Sequence, residues 1–346
     1  MRFFFHKIIF ILNLVAIVSL FSSIISPFIN PNLFWPISFF GLFFPIIITL
    51  CVFFSIFWFF YNKKYLWINI IFLMLSSPFL LRYIAVNKTN TFNKEGIKVM
   101  SYNVRLFNKW EWIKDNKIKE KSIDFINNQD LDIICIQEYY DPHRDLELDF
   151  KYSHIGLQKK QEDWHMAIYS NYPQINKKTV EIDGLKMNNS CIYSDIVINL
   201  DTVRVYNIHL ASNFFQKKDF DYLISVETEK VKNGVIGIGK KLKYSFERRG
   251  REVNQIKSHM NSCPYPIILC GDFNDTPVSY AYQKLGENMT DAFLDSGNGF
   301  GASFSKIPTL RIDYIFLNKG FKSYDFTTHE EEFSDHRAVS CFLKLN

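Results

Sequence analysis

The chain has 346 residues, of which 48% are hydrophobic, including 35 Phe and 18 Tyr, and its formal net charge is +5. This is too apolar for a purely soluble protein of that size, and the charge favours an anionic partner only weakly. Six cysteines show no spacing for a metal cage or a disulfide framework, and most lie in apolar runs where a free thiol acts as a small hydrophobe.

The apolar excess is confined to the first 86 residues, and the boundary to an ordinary α/β pattern falls near residues 87 to 96. Three candidate membrane spans, 8–26, 37–60 and 65–86, are each close to the roughly 20 residues a bilayer crossing needs. Pro27, Pro31 and Pro36 separate the first two, and Asn62-Lys63-Lys64 separates the second from the third. Arg2, His6 and Lys7 before the first span, and Lys63-Lys64 after the second, place the N-terminus in the cytoplasm. Three crossings of the cytoplasmic membrane then put everything after residue 87 on its outer side. Two other readings change this. Residues 1–30 have the charged start of a signal peptide, and Asn69, Pro78 and Arg82 interrupt the third span as they would a buried helix, which would leave the following domain inside.

Beyond residue 96, apolar runs predict strands at 97–104, 132–137, 166–170, 190–199, 202–210, 265–270, 312–317 and 337–345. Ile118, Ile123, Phe125 and Ile126 predict one helix, and 246–260 a second. Segment 214–245 reads as an insertion near the site. Its basic run Lys240-Lys241-Leu242-Lys243, continued by Arg248, Arg249 and Arg251, is either a solvated helix face or a patch for anionic headgroups or a polyanion. The 190–199 and 202–210 pair, joined by Leu200-Asp201, reads as a hairpin, whereas other strands are joined by helices. Two mixed sheets packed face to face with helices outside accommodate both connections.

Six apolar runs end in, or begin after, polar side chains: Asn103, Gln137-Glu138, Asn207-x-His209, Gly271-Asp272-Phe273-Asn274, Asp313 and Ser334-Asp335-His336. Strand ends are where α/β sheets keep their chemistry. Phosphoester hydrolysis needs a hard cation, an activated water, charge stabilisation on the phosphoryl group and help for the leaving oxygen. Glu138 is the natural Mg²⁺ anchor, and the Asn103 carbonyl oxygen could complete that shell. His209 and His336 are candidate phosphate donors or proton shuttles, and Asp313 pairs with His336 to fix its tautomer. Asp272 holds or deprotonates the attacking water, Asn274 orients the phosphate, and Asp335 ligates a metal or buttresses the site. Mg²⁺ or Mn²⁺ fits a donor set of oxygens and imidazoles.

Ser-Tyr-Asn-Val-Arg, Ile-Gln-Glu, Ile-Tyr-Ser-Asn-Tyr-Pro, Asn-x-His-Leu, Gly-Asp-Phe-Asn-Asp, Arg-Ile-Asp-Tyr-Ile and Ser-Asp-His-Arg, in that order over about 97–346, resemble the motifs of the endonuclease/exonuclease/phosphatase superfamily. The resemblance implies a deoxyribonuclease-I-like four-layer α/β sandwich and divalent-metal-dependent phosphoester hydrolysis. By position, it implies Glu138 as metal ligand with Asn103 beside it, His209 and Asn274 on the phosphate, Asp272 at the water, and Asp313 with His336 as base or acid. Residues 1–88 are similar to the anchors of membrane-bound bacterial members. Two places depart from the family pattern: Trp164-His165-Met166 stands where a small residue is common, and Ala211-Ser212 where Gln-Ser is frequent. Both bear on substrate, which is left open among phospholipid, nucleic acid and sugar phosphate. Trp110 and Trp112 could stack bases, or could form a hydrophobic staple. The rival from another class is an inactive, membrane-tethered binding module. No protein partner is readable.

Overall fold

The computed structural model describes residues 2–87, 96–143, 146–156, 165–183, 190–213, 228–307, 309–318 and 320–345. They form two compact units. One comprises Met1–Arg82, Ser212–Arg251 and Asp275–Lys284; the other comprises Tyr83–Ala211, Glu252–Asn274 and Leu285–Asn346.

In the second unit the strands are β1 (Ala85–Val86), β2 (Ile97–Asn103), β3 (Ile133–Tyr139), β4 (Tyr152–Gly156), β5 (His165–Ser170), β6 (Gln174–Thr179), β7 (Cys191–Ile198), β8 (Asp201–His209), β9 (Ile267–Asp272), β10 (Thr290–Asp291), β11 (Asn298–Gly299), β12 (Asp313–Leu317), β13 (Phe321–Thr328) and β14 (Val339–Leu345). β1 and β11 form a small antiparallel pair; the others build two six-stranded sheets, ordered β10-β12-β9-β8-β7-β6 and β13-β14-β2-β3-β5-β4. Each sheet is antiparallel except at its centre, where β2 runs parallel to β3 and β8 parallel to β9. Both sheets are therefore mixed.

One face of each sheet is committed to a shared core. Val99, Ile133, Cys135, Ile168 and Val339 of one sheet are buried in the same cluster as Ile192, Ile196, Val205, Ile268, Cys270 and Ile315 of the other. The opposite face of the first sheet, with Met100, Tyr102, Ile134 and Ile136, is covered by Phe125 and Ile126 of helix Ile118–Asn127. On the second sheet, Tyr193 and Tyr206 meet His259 of helix Thr228–Asn261, and Tyr206 Oη lies 2.9 Å from His259 Nδ1. This is the four-layer α/β sandwich expected from the sequence. Between the layers, Gln137 Nε2 donates to Asn207 Oδ1 (2.7 Å), and Asn207 Nδ2 donates to the Ile136 and Ala167 carbonyls. A buried polar link of this kind fixes the register of one sheet on the other.

The hairpin expected from 190–210 is present, but it pairs Ile198 with Asp201, so Asn199-Leu200 forms the turn, with Asn199 at φ +56°. Gly271 explains the glycine of the Gly-Asp-x-Asn motif. Its φ is +146°, and a Cβ there would overlap the Ile208 carbonyl oxygen of β8. That close approach sets His209 opposite Asp272. Gly271→Ala is therefore expected to destabilise the protein by about 2 kcal/mol or more, read as a lowered thermal midpoint; an unchanged midpoint would contradict this account of the motif.

The first unit opens with helices Arg2–Ile25, Phe44–Tyr61 and Lys63–Leu80. Among the described residues, the segments Phe5–Phe28 and Phe44–Tyr61 are long and apolar enough to cross a membrane. Their outward residues are bare, as with Val15 (59% exposed) and Phe53 (65%). The third predicted span, 65–86, is helical only to Leu80, and Ala85–Val86 is the strand β1. Asn69, which looked like an interruption, is wholly buried and takes part in an interhelical cluster: Asn13 Nδ2 donates to Asn69 Oδ1 (2.9 Å), while Asn69 Nδ2 (3.0 Å) and Trp58 Nε1 (2.7 Å) donate to Asn13 Oδ1. Polar side chains satisfied in this way join apolar helices. Residues 228–245, within the segment read as an insertion, continue the helix predicted at 246–260 back to Thr228; residues 214–227 and Trp164 lie outside the described residues.

Candidate functional site

The two central parallel pairs end side by side in register. Asn103 is level with Gln137, and His209 is level with Asp272. The next residue of β3, Glu138, sits at φ +50° where the β3–β5 ladder is irregular, a bulge that re-aims the side chain. Asn274 follows β9 at φ +52°.

The Asp272 carboxylate is the hub. Its Oδ1 accepts from the Asn274 backbone N–H (2.8 Å), and its Oδ2 accepts from Asn103 Nδ2 (3.0 Å) and Asn274 Nδ2 (3.2 Å). The Nε2 atoms of His209 and His336 each stand 3.7 Å from the same Oδ2. Asn274 Nδ2 also donates to the Leu210 carbonyl (2.9 Å), tying the end of β9 to that of β8. Burial, and then the neighbouring Asp313, raise the Asp272 carboxyl above its usual range despite the histidines.

His336 rests against Asp313, with Nδ1 2.9 Å from Oδ2. Burial alone would lower its pKa, but Asp313 and Asp272 push it up to about 10. The imidazole is thus an imidazolium at neutral pH, and its contribution to stability is complete below about pH 6.5 and fades as the pH rises towards 10. Two serines without a role in the sequence reading frame this pair. Ser334 Oγ donates to the Asn103 carbonyl (2.8 Å) and accepts from His336 N–H (3.2 Å), and Ser303 Oγ accepts from the Ile312 and Asp313 N–H groups (3.0 Å each). Ser334 lies within the Ser-Asp-His motif; Ser303 carries no sequence signal.

Glu138 Oε1 is 3.6 Å from His209 Nε2 and accepts from Asn103 Nδ2 (3.2 Å). Burial pushes its carboxyl up to about 7, with His336 and the Asn103 hydrogen bond opposing and Asp272 adding to the rise. Two placements bear on the metal shell read from the sequence. The Asn103 side-chain oxygen Oδ1 accepts from Arg105 N–H (3.0 Å), so Asn103 presents its amide nitrogen to the carboxylates. Asp335 turns to Arg105 Nη1 (3.1 Å) and Lys306 Nζ (3.9 Å). Arg105 thereby becomes a site residue, marked only by its place in Asn-Val-Arg. Its guanidinium also stacks 4.3 Å from the Trp112 ring centre, and Lys109 lies over Trp110 and Tyr140.

The site suits a divalent cation. The Glu138 and Asp272 carboxyls share one donor, Asn103 Nδ2, and Asp313 Oδ1 is buried with no hydrogen-bond partner among the described residues. Asp272, Asp313 and His336 also carry potential ligand atoms all within 4.8 Å of one another.

Residues 100–336 match the model of the Endonuclease/Exonuclease/phosphatase family. The chain belongs to this family. Family members are metal-dependent hydrolases of phosphoesters. Solved structures show the same fold at low identity. An endonuclease/exonuclease/phosphatase family protein from Bacteroides thetaiotaomicron is 15% identical, with a TM-score of 0.53, covering 72% of this chain and 98% of that one. The human Nocturnin catalytic domain with bound sulfate is 14% identical (TM-score 0.51; 72% and 95%). The Neisseria 3′ phosphatase NExo bound to a product DNA hairpin is 16% identical (TM-score 0.50; 72% and 99%). Residues 6–83 match a separate model, described as a domain of unknown function (DUF8431). No match to a curated protein is found.

Burial pushes the Glu138 carboxyl up to about 7, so a cation held there would have to displace a proton below that pH. Apparent Mn²⁺ affinity is expected to rise about tenfold per unit as pH increases towards 7 and then to level off; titration calorimetry at pH 5.5 and pH 8 checks this, and equal affinities would contradict it.

Proposed function

We propose that this protein is a membrane-anchored, divalent-metal-dependent phosphoester hydrolase, with residues 1–88 as the anchor and 97–346 as the catalytic part. The observation that carries the reading is the convergence of Asn103, Asn274, His209 and His336 on one buried carboxylate, Asp272, with Asp313 behind His336.

Glu138 holds the ion, oriented by the Asn103 N–H; Mg²⁺ or Mn²⁺, when bound, supplies charge neutralisation at the phosphoryl oxygens. Asp272, its carboxyl raised by burial, is suited to hold the water and take its proton. His209 and Asn274 contact the phosphate, and the His336 imidazolium, kept charged by Asp313, supplies a proton to the leaving oxygen. Asp335 buttresses Arg105 at the rim. The apolar helices, bare on their outer faces, and the Asn13–Trp58–Asn69 cluster favour a three-helix bundle crossing the cytoplasmic membrane. Lys63–Leu80 spans about 27 Å at 1.5 Å per residue, close to the thickness of a hydrocarbon core. With the N-terminus inside, the catalytic part is outside.

A tethered enzyme favours lipid or envelope phosphoesters. A second reading, a nuclease, is supported by Trp110 (56% exposed) and Trp112 (39%) beside Lys109 and Arg105, a cationic and aromatic rim that suits unpaired bases. Assays of the full-length protein in detergent with Mg²⁺ on phospholipid, inositol phosphate, plasmid DNA and RNA decide between them. Cleavage of phospholipid alone supports the first, cleavage of nucleic acid alone supports the second, and silence on all by a folded protein overturns both in favour of a binding module.

A further inference from the structure

The helical unit is built for more than tethering. β8 ends at His209 and β9 at Asp272, and each chain enters that unit three residues later, at Ser212 and Asp275. Within the unit one side chain holds both entering segments. Arg249 Nη1 donates to Asn213 Oδ1 (3.0 Å), and Arg249 Nε lies 3.1 Å from Asp275 Oδ2. Arg249 is only 2% exposed. A buried guanidinium is costly unless its geometry is satisfied, and its planar fork suits a fixed pair of acceptors.

The surroundings repeat the pattern. Ser245 Oγ donates to the Ser212 carbonyl (2.7 Å). On the other segment, Thr276 Oγ1 donates to the Gly41 carbonyl (3.2 Å), Ser26 Oγ to the Val278 carbonyl (3.3 Å), and Arg82 to the Pro277 carbonyl (3.2 Å) and Gln283 Oε1 (2.7 Å). A Cβ on Gly41 would collide with the Val278 carbonyl oxygen, and one on Gly250 would come within 2.5 Å of Asn32 Nδ2. The N-terminal helices and helix Thr228–Asn261 thus grip the segments that continue the two strands. A passive tether requires none of this.

We propose that the helical unit is part of the catalytic machinery's support and that Arg249 is its positioning residue. By fixing Asn213 and Asp275, Arg249 holds the two segments just beyond His209 and Asp272, and with them the placement of Asn274, which adjoins Asp275. The proposal rests on the hydrolase reading above only for its kinetic readout. Misplacing reacting groups by about 1 Å costs up to about a hundredfold in rate.

The test compares full-length wild type, Arg249→Met, Arg249→Lys, Asn213→Ala and, as a control on an exposed position of the same helix, Ser258→Ala. All are assayed in detergent with Mn²⁺ on bis(4-nitrophenyl) phosphate, with backbone hydrogen exchange followed across residues 271–276. Arg249→Met should lower kcat about ten- to a hundredfold with KM little changed, and should speed exchange of the Phe273 and Asn274 amides. Arg249→Lys, a point charge that cannot fork, should recover part of both, and Ser258→Ala should change neither. If Arg249→Met does not fold, Asn213→Ala, which deletes one arm, should show the same two changes at smaller size. Unchanged kcat and exchange in a folded variant, or a lowered thermal midpoint with kcat intact, would overturn the proposal. An inactive wild type would overturn the hydrolase reading, and amide exchange alone would then decide whether Arg249 fixes the strand exits.

Discussion

His336→Ala is expected to lower turnover by about 10²- to 10⁴-fold, the usual range for loss of a positioned proton donor. Stability falls too, because Asp313 is 1% exposed and would lose the cation that compensates it. Rates must therefore be measured well below the thermal midpoint of the variant. Asp313→Asn separates the two effects. It keeps the shape of the side chain but removes the charge that holds the imidazole at about 10, so the pKa should drop towards 6.5. At pH 8 the imidazole would then be neutral and turnover low, with the residual rate, measured at saturating metal, rising as pH falls below about 6.5. A flat or opposite pH profile would show that His336 does not act as the acid.

Glu138→Gln should abolish the response to metal while raising the stability of the metal-free protein at pH 8. The two signs follow from one fact. Burial holds the Glu138 carboxyl at about 7, so above that pH the folded protein carries a charge it disfavours; stability is lost between about 4.5 and 7 and stays lost above. A neutral isostere removes that cost and the ligand together. Thermal scans with and without Mn²⁺ check both: wild type should shift upward with Mn²⁺, and the variant should begin higher and not shift. A retained Mn²⁺ shift would move the metal away from Glu138.

The parts legible in the sequence are those where one residue carries both a strand end and a chemical group. Asn103, Glu138, His209, Asp272, Asn274, Asp313 and His336 are readable because each lies at or beside one end of an apolar run, and the fold brings them together. Edge strands were not readable: Gln174–Thr179 is exposed along most of its length and so lacks an apolar alternation. The long helix from Thr228 was obscured by Gly234, Gly237 and Gly239, which weaken the helical signal. Asn69 misled in the other direction, because a polar residue inside an apolar span looks like a break unless its partner, Asn13, is known. Ser303 and Arg249 make their contacts across the sequence, to the Asp313 N–H and the Asp275 carboxylate, and no local pattern announces such contacts. The Asn103 amide was legible as a site residue but not in orientation, which depends on the Arg105 N–H.

The decisive measurement is turnover of a phosphodiester by the folded full-length chain in Mg²⁺, then in EDTA, then after Mg²⁺ is restored. The geometry around Asp272 and Glu138 predicts cleavage that EDTA stops and Mg²⁺ recovers. Cleavage that persists in EDTA, or a folded chain that cleaves nothing in either condition, would contradict it.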